Sequence, residues 1–336
     1  MELRSSGKPT KRILLVLCLL ASGLCAAPAA DEPRSNSDLQ GAYLGQKQPG
    51  TAPEVFAPGL VSTKYPETTP VFSRNGREVY WSRLLEGGRG IIIWSRQKGG
   101  LWSPPEPLPF CQAGTETVVR DPYQPGKTQV GYRDSKPVLS CDGRRLIFTS
   151  NRPILDRPEF NKRGLNIWSA ERMDRGWTEP VPLGPEVNSS GDDDVPIIDC
   201  DGTLYFLSDH GGKYASYRSR WQDGRFAVAE PFVPPVGLLT YLSPNQNYGL
   251  FQQFDKNGSP ELFVSFRRQD GSFGPAIALL KEFGAFRALA PKVSADGRFL
   301  FFMSGRGGNM DIYWVSAGFL GELRKKTGSG LGDKKR

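Results

Sequence analysis

A polar turn followed by a strongly apolar strand recurs five times along the chain. Four of the five turns contain Asn-Gly or Asp-Gly, which suits a tight hairpin because glycine accepts the positive φ that such turns require. The strand after each turn is a nearly continuous apolar run, as expected for a strand that is covered on both faces. The five copies are "SRNGREVYWSR" (73–83), "SCDGRRLIFTSNR" (140–152), "DCDGTLYFLSDH" (199–210), "SPNQNYGLFQQFD" (243–255) and "SADGRFLFFMSGR" (294–306).

Two further segments complete the repeat. A third strand follows the polar loop of each copy, and in four copies a glycine and an aromatic residue then lead into a short strand rich in proline. Proline is tolerated at a sheet edge, so this last segment is predicted to be the outer strand. Four strands per copy, about fifty residues between copies and no helical period predict an all-β propeller of five four-stranded blades. Trp102 and Trp177, which precede outer strands, are interpreted as packing residues.

The fifth copy ends without a fourth strand. The missing segment lies near the other end of the chain, because "TAPEVFAPGLVS" (51–62) is similar to "TEPVPLGPEVNS" (178–189). We therefore predict that the N-terminal strand pairs with the last blade and closes the ring, which removes two exposed sheet edges at once. The long segment 111–135 leaves open a sixth, degenerate blade.

Taken together, the "SxDG" turns, the "FxSxR" strands, "NIWSAER", "GWTEPVPL" and "PEVFAPGLVS" resemble a known repeat. It is the TolB-type, WD40-like (PD40-like) propeller repeat of exported bacterial proteins, and the resemblance covers nearly all of 51–317. The fourth copy departs from the pattern, with "SPNQN" in place of "SPDG". The resemblance implies a propeller that binds another protein of the cell envelope.

The two ends of the chain differ from the repeats in composition. Four basic residues precede the apolar run 13–27 and the small residues "AAPAA", which is the order of a secretory signal peptide. Leu24 stands before Cys25, where a lipid-attachment signal needs a small residue. We therefore expect a periplasmic or secreted protein without a transmembrane segment. The predicted parts are a signal peptide (1–30, cleaved near 26–30), a linker (31–50), one propeller domain (51–323) and a basic disordered tail (324–336).

The net charge of +8 is concentrated at these ends. Residues 1–30 carry +3 and residues 324–336 carry +5, so residues 31–323 carry no net charge. A nucleic-acid-binding protein needs its positive charge on a folded face, where it neutralises phosphates. This distribution argues against a nucleic-acid partner, and the chain is expected to be a monomer.

Three cysteines remain after the signal peptide: Cys111, Cys141 and Cys200. Cys141 and Cys200 occupy equivalent turns in neighbouring repeats, which are expected to lie further apart than the ~7 Å that a disulfide can bridge. All three are therefore interpreted as unpaired packing residues. No cofactor or metal is expected either: with a single histidine, His210, a zinc site of three histidines cannot form, and the acidic run 192–194 lacks the spaced ligands of a calcium loop.

The geometry of a blade predicts that several charged residues lie on one face, although no sequence motif identifies them. The loop that enters an inner strand and the loop between the second and third strands lie at the same end of a blade. Entering loops contribute Glu67, Asp134, Asp192, Asp193 and Asp194, and the second-to-third loops contribute Arg83, Arg152, His210, Asp255 and Arg306.

Two interpretations of these residues stay open. In the first, each acid pairs with an arginine of its own or the next blade and holds the ring together. In the second, Glu67, Asp134 and Asp193 or Asp194 act as general acid and base, an arrangement similar to that of five-bladed glycoside hydrolases. The sequence favours a non-enzymatic binding or scaffold protein with an envelope protein or a polysaccharide as partner, and a carbohydrate-active hydrolase is the alternative.

Overall fold

Five antiparallel sheets of four strands each form a β-propeller, which confirms the predicted all-β fold and the count of five blades. The computed structural model describes residues 39–124, 126–161, 164–279 and 287–327. The segment 111–135 does not form a sixth blade. It contains instead a two-stranded ribbon, Val118–Arg120 with Thr128–Val130, which is called the insert ribbon below.

The strands of each blade are named inner, second, third and outer, following their order in the sheet. Blade 1 consists of Val71–Phe72, Glu78–Leu84, Gly90–Lys98 and Glu106–Pro107. Blade 2 consists of Ser135–Leu139, Arg145–Ser150, Asn166–Met173 and Val181–Pro182. Blade 3 consists of Asp193–Ile198, Leu204–Ser208, Ala215–Ser219 and Glu230–Pro231. Blade 4 consists of Leu238–Leu242, Tyr248–Phe254, Pro260–Phe266 and Ile277–Ala278. Blade 5 consists of Leu289–Val293, Phe299–Ser304, Asp311–Ser316 and Glu54–Val55.

Shorter elements lie outside this pattern. Leu101–Trp102 and Gly176–Trp177 pair with the ends of the third strands of blades 1 and 2. Trp221–Gln222 and Arg225–Phe226 form a separate two-stranded ribbon. Single 3-10 turns span Tyr43–Gly45, Glu86–Gly88, Pro109–Gln112 and Pro158–Asn161. Trp102 and Trp177 are buried, as their interpretation as packing residues requires.

The second strands are the most deeply buried part of each blade. Every residue of Leu204–Ser208 and Phe299–Ser304 is buried, because both faces of these strands are covered by the neighbouring blades. The turn before each strand is closed by a repeated device: in blade 2 the Ser140 hydroxyl accepts a hydrogen bond from the Arg145 amide (2.9 Å). Gly143 then adopts a φ of 71°, a conformation that favours glycine.

The fourth repeat, which lacks this glycine, is held by side chains instead. Gln246 occupies the turn with a φ of 56°. Its side-chain amide donates to the carboxylates of Asp199 and Asp201 in blade 3, each at 2.9 Å. The departure from the "SPDG" pattern therefore replaces a glycine turn by a contact between two blades.

The N-terminal strand completes blade 5, as predicted. Glu54–Val55 pairs antiparallel with the third strand of that blade, with Glu54 opposite Trp314 and Val55 opposite Tyr313. Phe56, the next residue, is fully buried, and its ring centroid lies 5.0 Å from that of Trp314. Whether this pairing is what keeps the ring closed stays a prediction.

The domain begins earlier than the predicted boundary at residue 51. Within the predicted linker, Leu39, Tyr43 and Leu44 are buried in the hydrophobic core, and the Tyr43 hydroxyl donates to the Asp296 carboxylate (2.7 Å). Their apolar side chains are too few and too irregularly spaced for a sequence pattern to reveal. The predicted signal peptide and residues 31–38 lie outside the described residues.

A helix not predicted from the sequence follows the last strand. It spans Gly318–Lys326, and its Leu320 is buried in the apolar cluster between blades 4 and 5. The predicted start of a disordered tail at residue 324 is therefore wrong by at least three residues, and 328–336 lie outside the described residues. Among the helices that the structure describes, none is long and apolar enough to span a membrane.

Cys141 and Cys200 form a disulfide, so the interpretation of all three cysteines as unpaired is wrong. Their Cα atoms are 5.1 Å apart. The physical reason is that the turns between inner and second strands lie near the axis, where neighbouring blades converge, and not at the spacing of the outer strands. Cys111 is unpaired and buried, as expected, and burial raises the pKa of its thiol.

Candidate functional site

The face on which the chain enters each inner strand is called the entry face. It carries the predicted acids together with the loops between second and third strands. In blade 1, Glu67 is almost fully buried and its carboxylate accepts from Arg83 Nε (2.9 Å) and from the amide of Thr63 (3.2 Å). Burial raises the pKa of Glu67 to about 7, although Thr63 and Arg83 both favour the ionised form.

Blade 2 contains the corresponding pair with better geometry. The Asp134 carboxylate accepts from Arg152 Nε (3.0 Å) and Nη2 (2.7 Å), and from the Ser150 hydroxyl (2.7 Å). Both side chains are buried, and Arg152 also lies over the ring of Tyr132 at 4.7 Å. This is a two-point ion pair with a further hydrogen bond from Ser150, the kind of arrangement in which a buried pair is best tolerated.

In blade 3 two neighbouring acids have different partners. Asp193 is fully buried and accepts from the amide (2.6 Å) and the hydroxyl (3.0 Å) of Ser189. Burial raises its pKa to about 6, against hydrogen bonds from Ser208 and Ser189 and the nearby His210. Asp194 accepts from the Thr149 hydroxyl (3.0 Å) and forms an ion pair with Lys136 of blade 2.

The other predicted residues of the entry face have different surroundings. His210 is exposed, and its amide donates to the Ser208 hydroxyl (3.1 Å). Asp255 holds its own loop by accepting from the amides of Asn257 and Ser259, each at 2.8 Å. Arg306 is exposed. Asp192 accepts from the Leu165 amide (3.1 Å) and thereby links blade 3 to blade 2.

Sequence analysis missed two residues of this face, Lys136 and Tyr123. The Lys136 ammonium pairs with Asp194 and donates to the Tyr123 hydroxyl (3.1 Å), while its amide donates to Ser82 of blade 1 (3.2 Å). Burial alone would lower the pKa of Lys136, but Asp194 and Tyr123 outweigh it and the pKa is raised. Through its side chain and its backbone amide, this one residue therefore connects three blades and the insert. The sequence offers no signal for it, since an ordinary lysine occupies the position.

The backbone at Lys136 is strained. Lys136, Val195 and Ala290 stand before proline at the same position of blades 2, 3 and 5, and their φ values are 55°, 52° and 46°. The ladder between inner and second strands shifts register at each of these points. A non-glycine residue in this conformation costs about 1–2 kcal/mol, so the recurrence shows that a bulge at the entry face is built into the repeat.

The insert ribbon is fixed to the entry face at both ends. Asn151 Nδ2 donates to the carbonyl of Arg120 (3.0 Å), and Arg133 Nε donates to the carbonyl of Gly88 (2.8 Å). Val118 and Val130 stand opposite each other in the ribbon and are 64% and 52% exposed. Together with Leu155 in the neighbouring loop, which is 87% exposed, they are called the apolar set of the entry face.

Known proteins that resemble the chain were found by structure alone. No protein-family model and no curated protein matches it. TolB from Acinetobacter baumannii superposes with a TM-score of 0.47 and 16% identity, covering 77% of this chain and 53% of that protein. A putative TolB from Agrobacterium tumefaciens gives 0.43 and 17%, covering 72% and 71%. The chain is similar to TolB proteins.

Enzymes of known structure superpose on the chain with similar TM-scores. The catalytic domain of a GH62 α-L-arabinofuranosidase from Coprinopsis cinerea gives a TM-score of 0.45 and 10% identity, covering 76% of this chain and 93% of that domain. The chain spans about half the length of the Acinetobacter TolB. Similarity of this degree carries no information about what the chain binds.

Proposed function

We propose that this chain is an exported binding propeller of the bacterial envelope, which recognises a protein partner through its entry face. The observation that carries this proposal is the burial and the hydrogen bonding of the four candidate catalytic acids. Glu67, Asp134, Asp193 and Asp194 are each almost fully buried and hydrogen-bonded within the domain. Their contacts favour the first of the two interpretations, in which they hold the blades together.

The surface around these acids supports a protein partner. Single exposed apolar residues are normal on a protein, but Val118, Val130 and Leu155 lie on one insert and its adjacent loop, held by hydrogen bonds to both neighbouring blades. Binding residues are commonly carried by loops that a rigid scaffold positions. A preformed apolar ribbon suits the desolvated centre of a protein interface.

The disulfide supports export. Cys141 is half-buried and Cys200 is exposed, so the bond is accessible to reductants. Such bonds persist in the periplasm and outside the cell and are rare in the cytosol. The bond agrees with the predicted signal peptide, and a periplasmic or secreted location is part of the proposal.

A carbohydrate-active hydrolase stays the second candidate. The observation in its favour is that the pKa values of Glu67 and Asp193 are raised to about 7 and about 6, as a general acid requires. Against it, a glycosidase needs two carboxylates that reach the scissile bond, whereas these two side chains are buried and accept hydrogen bonds from Thr63 and Ser189.

The test replaces apolar residues of the entry face. Val118→Asp and Val130→Asp are compared with Val228→Asp and Val181→Asp, which change residues that are equally exposed (77% and 57%) but lie on blade 3 and on the outer strand of blade 2. Immobilised wild-type protein is expected to retain a specific envelope protein that the first two variants lose and the two controls keep. Equal retention by all variants would exclude this face. Retention of glycans on an array without any protein would instead establish a polysaccharide partner.

A further inference from the structure

Lys292 occupies a position that is apolar in every other blade. It follows Pro291 in the inner strand of blade 5, the strand that borders the central axis. At the corresponding position the other four blades carry Val71, Val138, Ile197 and Tyr241. The charged side chain at this position is therefore specific to blade 5 and not a feature of the repeat.

The surroundings of Lys292 are aromatic. Its register partner in the second strand is Phe301, which in turn pairs with Trp314, and residues that pair across an antiparallel ladder share one face of the sheet. Both aromatic side chains are fully buried in the core. Lys292 itself is only half-buried, although it stands between the buried Pro291 and Val293 of the innermost strand.

Within the residues that the structure describes, the Lys292 ammonium has no hydrogen-bond or ion-pair partner. The contrast is Lys136, also on an inner strand, which is neutralised by Asp194. Burial lowers the pKa of Lys292 to about 8, as expected when a desolvated ammonium has no carboxylate beside it. A half-buried charge without a counterion costs free energy, and such groups are commonly found at binding or catalytic sites.

We infer that Lys292 is an anion-recognition site of the central channel, which binds the carboxylate or phosphate group of a ligand. Its side chain supplies a point charge that suits either oxyanion, and the apolar wall around it strengthens the attraction because the local dielectric constant is low. Along the inner strand of blade 5, Lys292 lies two residues beyond the bulge at Ala290, whereas the apolar set belongs to the insert ribbon and a loop of blade 2. It is independent of the proposed protein partner.

The first experiment measures amine reactivity. Full-length folded protein is acetylated briefly at pH 8, and each lysine is quantified by mass spectrometry in sodium chloride, sodium acetate and sodium phosphate at equal ionic strength. Lys292 is expected to be protected several-fold by acetate or phosphate relative to chloride, since an oxyanion stabilises the protonated form. The exposed Lys256 serves as the internal control and is expected to react alike in all three salts.

The second experiment uses variants. Lys292→Met is expected to fold with an unchanged or higher melting temperature, because it removes an unpaired charge from an apolar site. Acetate or phosphate is expected to raise the melting temperature of the wild type and of Lys256→Met in a saturable manner, but not that of Lys292→Met. Stabilisation by phosphate alone identifies a phosphate ligand, and by acetate alone a carboxylate.

Three outcomes would overturn the inference. They are equal acetylation of Lys292 in all three salts, protection of Lys256 to the same extent, and stabilisation of Lys292→Met as large as that of the wild type. None of these outcomes bears on the proposed protein partner, because that proposal is tested with the variants of Val118 and Val130. Conversely, an experiment that excludes the proposed protein partner does not exclude anion binding at Lys292.

Discussion

The carboxylate of Asp134 and the guanidinium of Arg152 form a two-point ion pair, with Nε–Oδ1 at 3.0 Å and Nη2–Oδ2 at 2.7 Å. Arg152 Nη2 also donates to the carbonyl of Phe110 at 2.8 Å, at the point where the insert begins. One pair therefore connects the inner strand of blade 2, its second-to-third loop and the insert. These contacts determine what replacement of the acid is expected to do.

Asp134→Asn is expected to destabilise the domain by about 3–5 kcal/mol, because it leaves the buried Arg152 without a counterion. Chemical denaturation with a fluorescence readout measures the change. The matched control is Glu171→Gln, which removes the partner of Arg145 from an ion pair of similar length (2.7 Å) whose acid is half exposed. The control is expected to lose less than about 1 kcal/mol. Loss of glycan turnover at unchanged stability would instead establish the hydrolase.

The disulfide should contribute strongly to stability. It closes a loop of 59 residues, for which chain-entropy estimates give about 4 kcal/mol. The double variant Cys141→Ser/Cys200→Ser is expected to unfold at correspondingly lower denaturant, and the wild type in reductant should match it. Thiol counting on the unfolded, unreduced wild type should find only Cys111 once the signal peptide is removed. Three reactive thiols in that sample would refute the pairing.

The N-terminal strand is expected to be essential for a folded ring. Deletion of residues 51–62 should give an aggregating or unfolded product, since it removes the outer strand of blade 5 and the buried Phe56. Phe56→Ala is the milder test and should cost about 3–5 kcal/mol, whereas Val181→Ala on an exposed outer strand should cost little. A monomeric deletion variant with wild-type stability would contradict closure by this strand.

Stability should fall as the pH rises from 5 to 8. The pKa of Glu67 is raised from its ordinary value of 4.5 to about 7, and that of Asp193 from 3.8 to about 6. The folded state therefore binds these protons more tightly than the unfolded state. The resulting stabilisation is complete below the unfolded pKa values and is lost as the pH passes through the folded ones, about 3 kcal/mol for Glu67.

Melting curves across this pH range check the sign. Glu67→Gln mimics the protonated acid and should flatten the dependence, while Glu86→Gln, at an exposed position of the same blade, should leave it unchanged. A melting temperature that rises with pH in the wild type would show that Glu67 is ionised and stabilised by Arg83 throughout.

The candidate site was predictable only where its partners belong to the same repeat. Asp134 and Arg152 stand at fixed offsets within one blade, so blade geometry alone brings them to one face. The ion pair of Lys136 with Asp194 joins two blades and depends on a lysine with a φ of 55°. Nothing in the residue type reveals that conformation, because lysine has no preference for it.

The fold class, the prediction of five blades and the N-terminal outer strand follow from the sequence alone, because nearly continuous apolar strands, glycine turns and repeats about fifty residues apart are local features that few architectures satisfy. Tertiary structure alone decided the disulfide, the buried segment before residue 51, the terminal helix and the position of Lys292, which has no ion-pair partner in the described part of the chain. Each depends on contacts between parts of the chain that are far apart in sequence, and these contacts are set by how the sheets pack and not by any pattern along the chain.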